Sequence, residues 1–103
     1  MRVIESRSRE ILVLDDDEIV LLAMKETLLR ERYKVQAFTQ ARDALAALEK
    51  TQFATIISDH RMPEMTGLEF LDKCKHIQPN ASRILITGVL TLNTVIEAVN
   101  RGE

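Results

Sequence analysis

Six aspartates occur in the chain, and three of them are consecutive, at Asp15, Asp16 and Asp17, followed at once by Glu18. This stretch has no glycine to bring backbone N–H groups onto a phosphate, so it repels phosphate and attracts a cation. That argues against a flavin or dinucleotide. Carboxylates crowded together raise one another's pKa unless a cation compensates. Two or three of them, with carbonyl and water oxygens, make a hard-oxygen site that suits Mg²⁺, with Mn²⁺ as a substitute. A further aspartate, Asp59, closes an apolar run elsewhere in the chain. Brought to the same ion, Asp59 would be both ligand and nucleophile, the chemistry that forms aspartyl-phosphates. Thr87 follows a third run, Ile84-Leu85-Ile86, and its hydroxyl could donate to a phosphoryl oxygen. Phosphoryl transfer rests on positioning and charge neutralisation, so even this small set suffices.

Each residue also has an ordinary role. One aspartate after a strand commonly caps the next helix, and Asp16 or Asp17 can do so here. Capping needs one carboxylate, however, and three are present. Thr87 alone reads as a strand-end residue. His60 has no partner at metal-ligand spacing and reads as a loop residue, while His76 suits the C-terminal end of a helix. Cys74, on an apolar stripe, reads as a buried inert thiol. Met62 and Met65 read as core or loop anchors.

The elements that must position these groups follow from periodicity. Ile11-Leu12-Val13-Leu14 is a short unbroken apolar run, as expected of a strand buried on both faces. Over 17–32, Ile19, Leu22, Ala23 and Leu29 recur at helical spacing, with Glu18 favourable in the first turn. Residues 33–38 read as a second strand, 41–50 as an Ala- and Leu-rich helix, and 53–58 as a third strand that stops at Asp59. Pro63 and Gly67 mark a constrained loop. Leu68, Leu71, Cys74 or Lys75, and Ile77 predict a third helix ending near Pro79-Asn80. Residues 83–87 predict a fourth strand, and 94–101 a fourth helix carrying Val95, Ile96 and Val99, with Gly102 as its stop. Four β-α units in alternation predict an α/β fold, a doubly wound parallel sheet with helices on both faces. Right-handed crossovers place the C-terminal ends of the strands along one edge, where ligands bind. Asp15, Asp16, Asp59 and Thr87 all fall there.

Length and composition bound the setting. The chain has 103 residues, enough for one domain, with 46% apolar and 29% charged residues. Lys and Arg number 14 against 16 Asp and Glu, so charge gives no reason for the domain to bind nucleic acid or an anionic membrane. A lone cysteine forms no internal disulfide, and the longest apolar run, Ile19 to Met24, is too short to span a bilayer. The first ten residues lack the apolar centre of a signal peptide. A cytoplasmic location is expected.

The segments Ile11-Leu12-Val13-Leu14-Asp15-Asp16-Asp17-Glu18, Asp59-His60-Arg61-Met62-Pro63-Glu64-Met65-Thr66-Gly67 and Ile84-Leu85-Ile86-Thr87-Gly88 together resemble the receiver domain of two-component response regulators. The resemblance covers residues 11–103, leaving 1–10 as an N-terminal extension. It implies the flavodoxin-like strand order 2-1-3-4 for the units present. It implies that Asp59 is the phosphoacceptor, supplied by a histidine kinase or phosphotransfer protein. Asp15, Asp16, Asp59 and the backbone carbonyl of Arg61 would hold Mg²⁺, with Asp15 acting through water. Thr87 would be the switch hydroxyl, moving strand four and helix four, and Arg61 and Val89 would tune dephosphorylation. The role implied is regulatory, with an output domain outside this chain, and not that of a turnover enzyme. A phosphatase using an aspartyl-phosphate would want a second acid where Arg61 stands.

The chain departs from that pattern at its end. Receivers continue into a fifth strand ending in Lys-Pro and a fifth helix, and here the sequence stops at Glu103. The expectation is a truncated receiver without the lysine that contacts the phosphoryl group. Strand four would then be a sheet edge, and the faces of helix one and strand one would be left uncovered. A homo-oligomer is expected, by pairing at strand four and helix four or by strand exchange. The alternative function is a phosphorylation-incompetent interaction or dimerisation module.

Overall fold

The computed structural model describes residues 9–86 and 92–101, and of 92–95 the backbone alone. The order is β1 (Glu10–Leu14), α1 (Glu18–Arg30), β2 (Lys34–Phe38), α2 (Ala41–Leu48), β3 (Thr55–Asp59), α3 (Gly67–Ile77), β4 (Ser82–Ile86) and α4 (Leu92–Arg101). The four strands are parallel, in the order β2-β1-β3-β4. All four β-α units and the doubly wound order are therefore as expected from the sequence. Thr87 and Val89 lie outside the described residues.

The unbroken apolar runs occupy the centre. Ile11, Leu12, Val13 and Leu14 in β1, with Ile56 and Ile57 in β3, are wholly buried, because helices cover both faces of the sheet. On one face Leu12, Leu14 and Ile56 pack with Ala44 and Leu48 of α2 and Phe70, Leu71 and Cys74 of α3. Met62 and Met65 pack against that cluster from the loop after β3, as expected of anchors. On the other face Ile11, Val13 and Ile57 pack with Leu21, Met24 and Leu28 of α1 and Val99 of α4.

Three expectations are corrected here. The helix over α1 forms, but its buried stripe is Leu21, Met24 and Leu28, and the residues expected to face the core point out. Ile19 is 81% exposed, and Leu22, Ala23 and Leu29 are exposed as well. The helix is apolar at helical spacing on two sides, and only the sheet decides which side turns inward. In α3, likewise, Leu68 is exposed and Phe70 takes the fully buried position. Finally, the face of β1 and α1 expected to be bare is covered by α4. Val99 is buried in the α1 cluster, Ile96 packs against it, and the Tyr33 hydroxyl donates to Asn100 Oδ1.

Helix ends are explained locally. Asp17 caps α1, its Oδ1 accepting from the Ile19 and Val20 N–H groups at 2.9 and 3.4 Å, with Glu18 in the first turn. α1 ends with Arg32 in the left-handed region, at φ 71°. There the Tyr33 N–H reaches back to the Leu28 carbonyl at 3.2 Å and the Arg32 N–H to Leu29 at 3.0 Å. The Arg9 guanidinium donates to the Arg32 and Glu31 carbonyls and lies 4.3 Å over the Tyr33 ring. α3 opens with a reciprocal capping box between Thr66 and Glu69. At its other end Gln78 is buried and clamps the α2–β3 connection. Its Oε1 accepts from the Phe53 N–H at 2.9 Å, and its Nε2 donates to the Leu48 and Thr51 carbonyls at 2.9 and 2.6 Å.

Candidate functional site

Parallel strands bring their C-terminal ends to one edge, and β1 and β3 are neighbours there, Leu14 standing opposite Ser58. Asp15 and Asp16 leave the end of β1, and Asp59 is the last residue of β3. One carboxylate oxygen from each of the three lies within 4.8 Å of the others. Asp15 is buried, Asp59 half-buried and Asp16 exposed, so the cluster opens to solvent through Asp16. Asp17, next in the chain, is turned to the α1 cap and stands apart from the cluster.

Asp15 holds the loop as well as charge. Its Oδ1 accepts from the Asp17 N–H at 2.9 Å, and its own N–H donates to the Phe38 carbonyl at 3.1 Å, extending the β1–β2 ladder. Burial pushes the Asp15 carboxyl up to about 6, against the pull of the Asp17 N–H, and the negative charges of Asp59, Asp16 and Asp17 add to the rise. Crowded, partly desolvated carboxylates of this kind are what a hard divalent cation relieves. The donor set therefore fits Mg²⁺ or Mn²⁺. Arg61 is exposed in the loop just after β3.

The backbone of Asp59 is fixed by groups whose importance the sequence did not reveal. The hydroxyl of buried Ser58 donates to the Asp59 carbonyl at 2.8 Å. Gly67, the first residue of α3, lies against the same carbonyl. A Cβ there would meet the Asp59 oxygen at 2.3 Å and Leu85 Cδ1 at 2.6 Å, so no side chain fits. The Gly67 N–H donates to the His60 carbonyl at 2.9 Å, and the His60 N–H to the Ile86 carbonyl at 3.2 Å. Position 60 thus ties the site to the start of α3 and the end of β4, while its Nδ1 is buried without a hydrogen-bond partner. The glycine of the loop motif was the available signal, and its reason is this close approach. The remaining candidates stand apart. Burial pushes the Cys74 thiol up to about 12, which suits an inert core residue. His76 lies in the last turn of α3, its Nδ1 2.9 Å from the Asp72 carbonyl.

A doubly wound sheet with three carboxylates converging past strands one and three defines an α/β domain with an acidic ligand edge. A family profile described as the response regulator receiver domain matches residues 11–103, and the chain belongs to that family. The chain is 33% identical over 97 residues to the C4-dicarboxylate transport transcriptional regulatory protein DctD of Rhizobium meliloti (strain 1021), covering 94% of this chain and 21% of that protein. It is also 33% identical over 90 residues to the DNA-binding transcriptional regulator NtrC of Proteus hauseri, covering 87% of this chain and 19% of that one. The chain thus spans about a fifth of the length of these regulators. Among solved structures, the CheY-like receiver domain protein of Methanospirillum hungatei JF-1 superposes with a TM-score of 0.75 at 32% identity, covering 92% of this chain and 76% of that one. No helix among the described residues is long and apolar enough to cross a membrane.

Proposed function

We propose that the domain accepts a phosphoryl group on Asp59 from the phosphohistidine of a histidine kinase or phosphotransfer protein. The observation that carries this reading is the convergence of Asp15, Asp16 and Asp59 within 4.8 Å at the C-terminal edge of a receiver-family sheet. In the transfer, the P–N bond of the donor breaks and a bond forms between phosphorus and an Asp59 oxygen. Asp16, Asp59 and the Arg61 carbonyl, with Asp15 through water, would hold Mg²⁺, which would offset part of the negative charge of the carboxylates and the incoming phosphoryl oxygens. Ser58 and Gly67 fix the Asp59 main chain, so that its carboxylate is presented from a rigid strand end. Thr87 is the switch hydroxyl. We place the receiver unit at 11–103, with 1–10 as an extension, in a cytoplasmic protein whose output domain lies outside this chain.

Incubation with acetyl phosphate and Mg²⁺ is expected to add one phosphoryl group, seen by mass, and Asp59→Asn to abolish it. Labelling that survives the substitution overturns the assignment. Association between copies is a second element of the proposal, because β4 pairs only with β3 among the described residues. Light scattering that finds a monomer at high micromolar concentration counts against it. The alternative reading, an interaction or dimerisation module independent of phosphorylation, is supported by the exposed apolar residues of α1. Failure to bind Mg²⁺ at millimolar concentration favours it.

A further inference from the structure

Four of the five large apolar side chains that stand exposed among the described residues belong to α1: Ile19, Val20, Leu22 and Leu29, with Leu68 of α3 the fifth. Leu21, Met24 and Leu28 turn to the sheet, so these residues lie on the outer side of the helix. Ile19, Leu22, Glu26 and Leu29 follow one another at helical spacings of three, four and three, which sets them on one face, with exposed Ala23 beside them. Three of these four positions are apolar, the pattern by which one helix packs on another. A continuous apolar surface of this kind marks a contact site. The charges of the same helix decide what fits it. Glu18 is exposed at its N-terminal end, and Arg30 and Arg32 are exposed at its C-terminal end. Two such helices side by side in parallel would set acid against acid and base against base. Antiparallel, they set acid against base at both ends.

We infer that the outer face of α1 docks on the same face of a second copy of this chain, with the two helices antiparallel about a twofold axis level with Met24. This deepens the association reading by naming a surface other than β4, and it does not depend on the phosphoacceptor reading of Asp59. The contact is isologous, so each pairing occurs twice. Ile19 lies level with the partner's Leu29, and Leu22 with the partner's Glu26. Glu26, the one acid in the seam, also comes near the partner's Lys25. Glu18 comes to the end that carries the partner's Arg30 and the partner's Arg32. Beside the axis Ala23 meets the partner's Ala23, where short side chains let the helices approach closely. One helix face per copy buries less than the roughly 1,600 Å² of a standard interface, so the dimer is a weak one.

Sedimentation equilibrium at low ionic strength reads the dimer. Leu22→Ser/Leu29→Ser removes apolar side chains that the fold leaves exposed, and is expected to raise the dissociation constant about tenfold while circular dichroism shows the domain still folded. Glu18→Lys brings a base to both ends of α1, and Arg30→Glu/Arg32→Glu brings an acid to both. Each alone is expected to dimerise about threefold more weakly, and the equimolar mixture of the two to regain the parent affinity. Orientation is read by Ala23→Cys, expected to form a disulfide between copies under mild oxidation, whereas Lys73→Cys on α3 does not. The native Cys74 is buried and adds no background. A mixture that regains nothing, or Lys73→Cys linking as readily as Ala23→Cys, overturns the inference. A dimer that Leu22→Ser/Leu29→Ser leaves unchanged is made elsewhere, and overturns the inference while association stands. A parent protein that stays monomeric at high micromolar concentration leaves the face to a helix of another protein, and overturns both. Labelling of Asp59 by acetyl phosphate is decided separately from all of these.

Discussion

Asp15→Asn is expected to make the metal-free protein more stable above pH 6, though it removes a native charge in the site. In the folded chain the Asp15 carboxyl rises from the ordinary 3.8 to about 6, chiefly because it is buried. The native state therefore holds this proton more tightly than the unfolded state does. Between about pH 4 and pH 6 the unfolded chain has released it and the native chain has not, so stability falls as pH rises through that window. At about 1.4 kcal/mol per pH unit the loss approaches 3 kcal/mol and persists at higher pH. Asparagine carries no proton to lose, and its carbonyl oxygen can still accept from the Asp17 N–H. Urea unfolding in chelator from pH 4 to pH 8 should show the two proteins equal near pH 4 and Asp15→Asn ahead by about 2–3 kcal/mol at pH 8. Millimolar Mg²⁺ should narrow the gap, because it binds only the folded parent protein. A gap that does not change with pH, or a parent protein that is the more stable at pH 8, would refute the reasoning.

The other predictions concern the frame around the site. Gly67→Ala drives a methyl group into the Asp59 carbonyl and should cost about 1–3 kcal/mol, read as a lower Tm; an unchanged Tm means that α3 can lift away from β3. Arg32→Gly removes a side chain from a left-handed position while keeping the carbonyl that Arg9 grips, and should raise stability by up to about 1 kcal/mol in urea unfolding. Gln78→Ala leaves the buried Phe53 N–H and two carbonyls without their partner. Its expected cost is about 2–3 kcal/mol, with faster amide exchange confined first to the α2–β3 connection.

Much of this architecture was legible in the residues themselves. Short unbroken apolar runs alternating with helical spacing specify central parallel strands, and the acidic triplet after the first run locates the ligand edge. The approach of Asp59 to Asp15 and Asp16 was expected from that edge, and the strand order from the resemblance to receiver domains. What stayed hidden depends on distant partners. α1 offers two apolar stripes, and the choice of Leu21, Met24 and Leu28 over Ile19, Leu22 and Leu29 is made by Ile11 and Val13 of the sheet. The same holds for Phe70 over Leu68, and for α4, whose Val99 closes a face that local pattern leaves open. Gln78 looks like an ordinary residue before Pro79. Its clamp exists only because the α2–β3 connection passes its side chain.

The pairing of β1 with β3 also has a kinetic meaning. Parallel strands cannot meet through a tight turn, so a long crossover must close before the carboxylates of these two strand ends come together. The repulsion of Asp59 by Asp15 and Asp16 is therefore absent from an open chain and enters at the moment the central strands dock. Relieving it, by an ion or by an amide, dates that event. If the folding rate rises, β1 and β3 are already joined at the barrier; if only unfolding slows, they join after it.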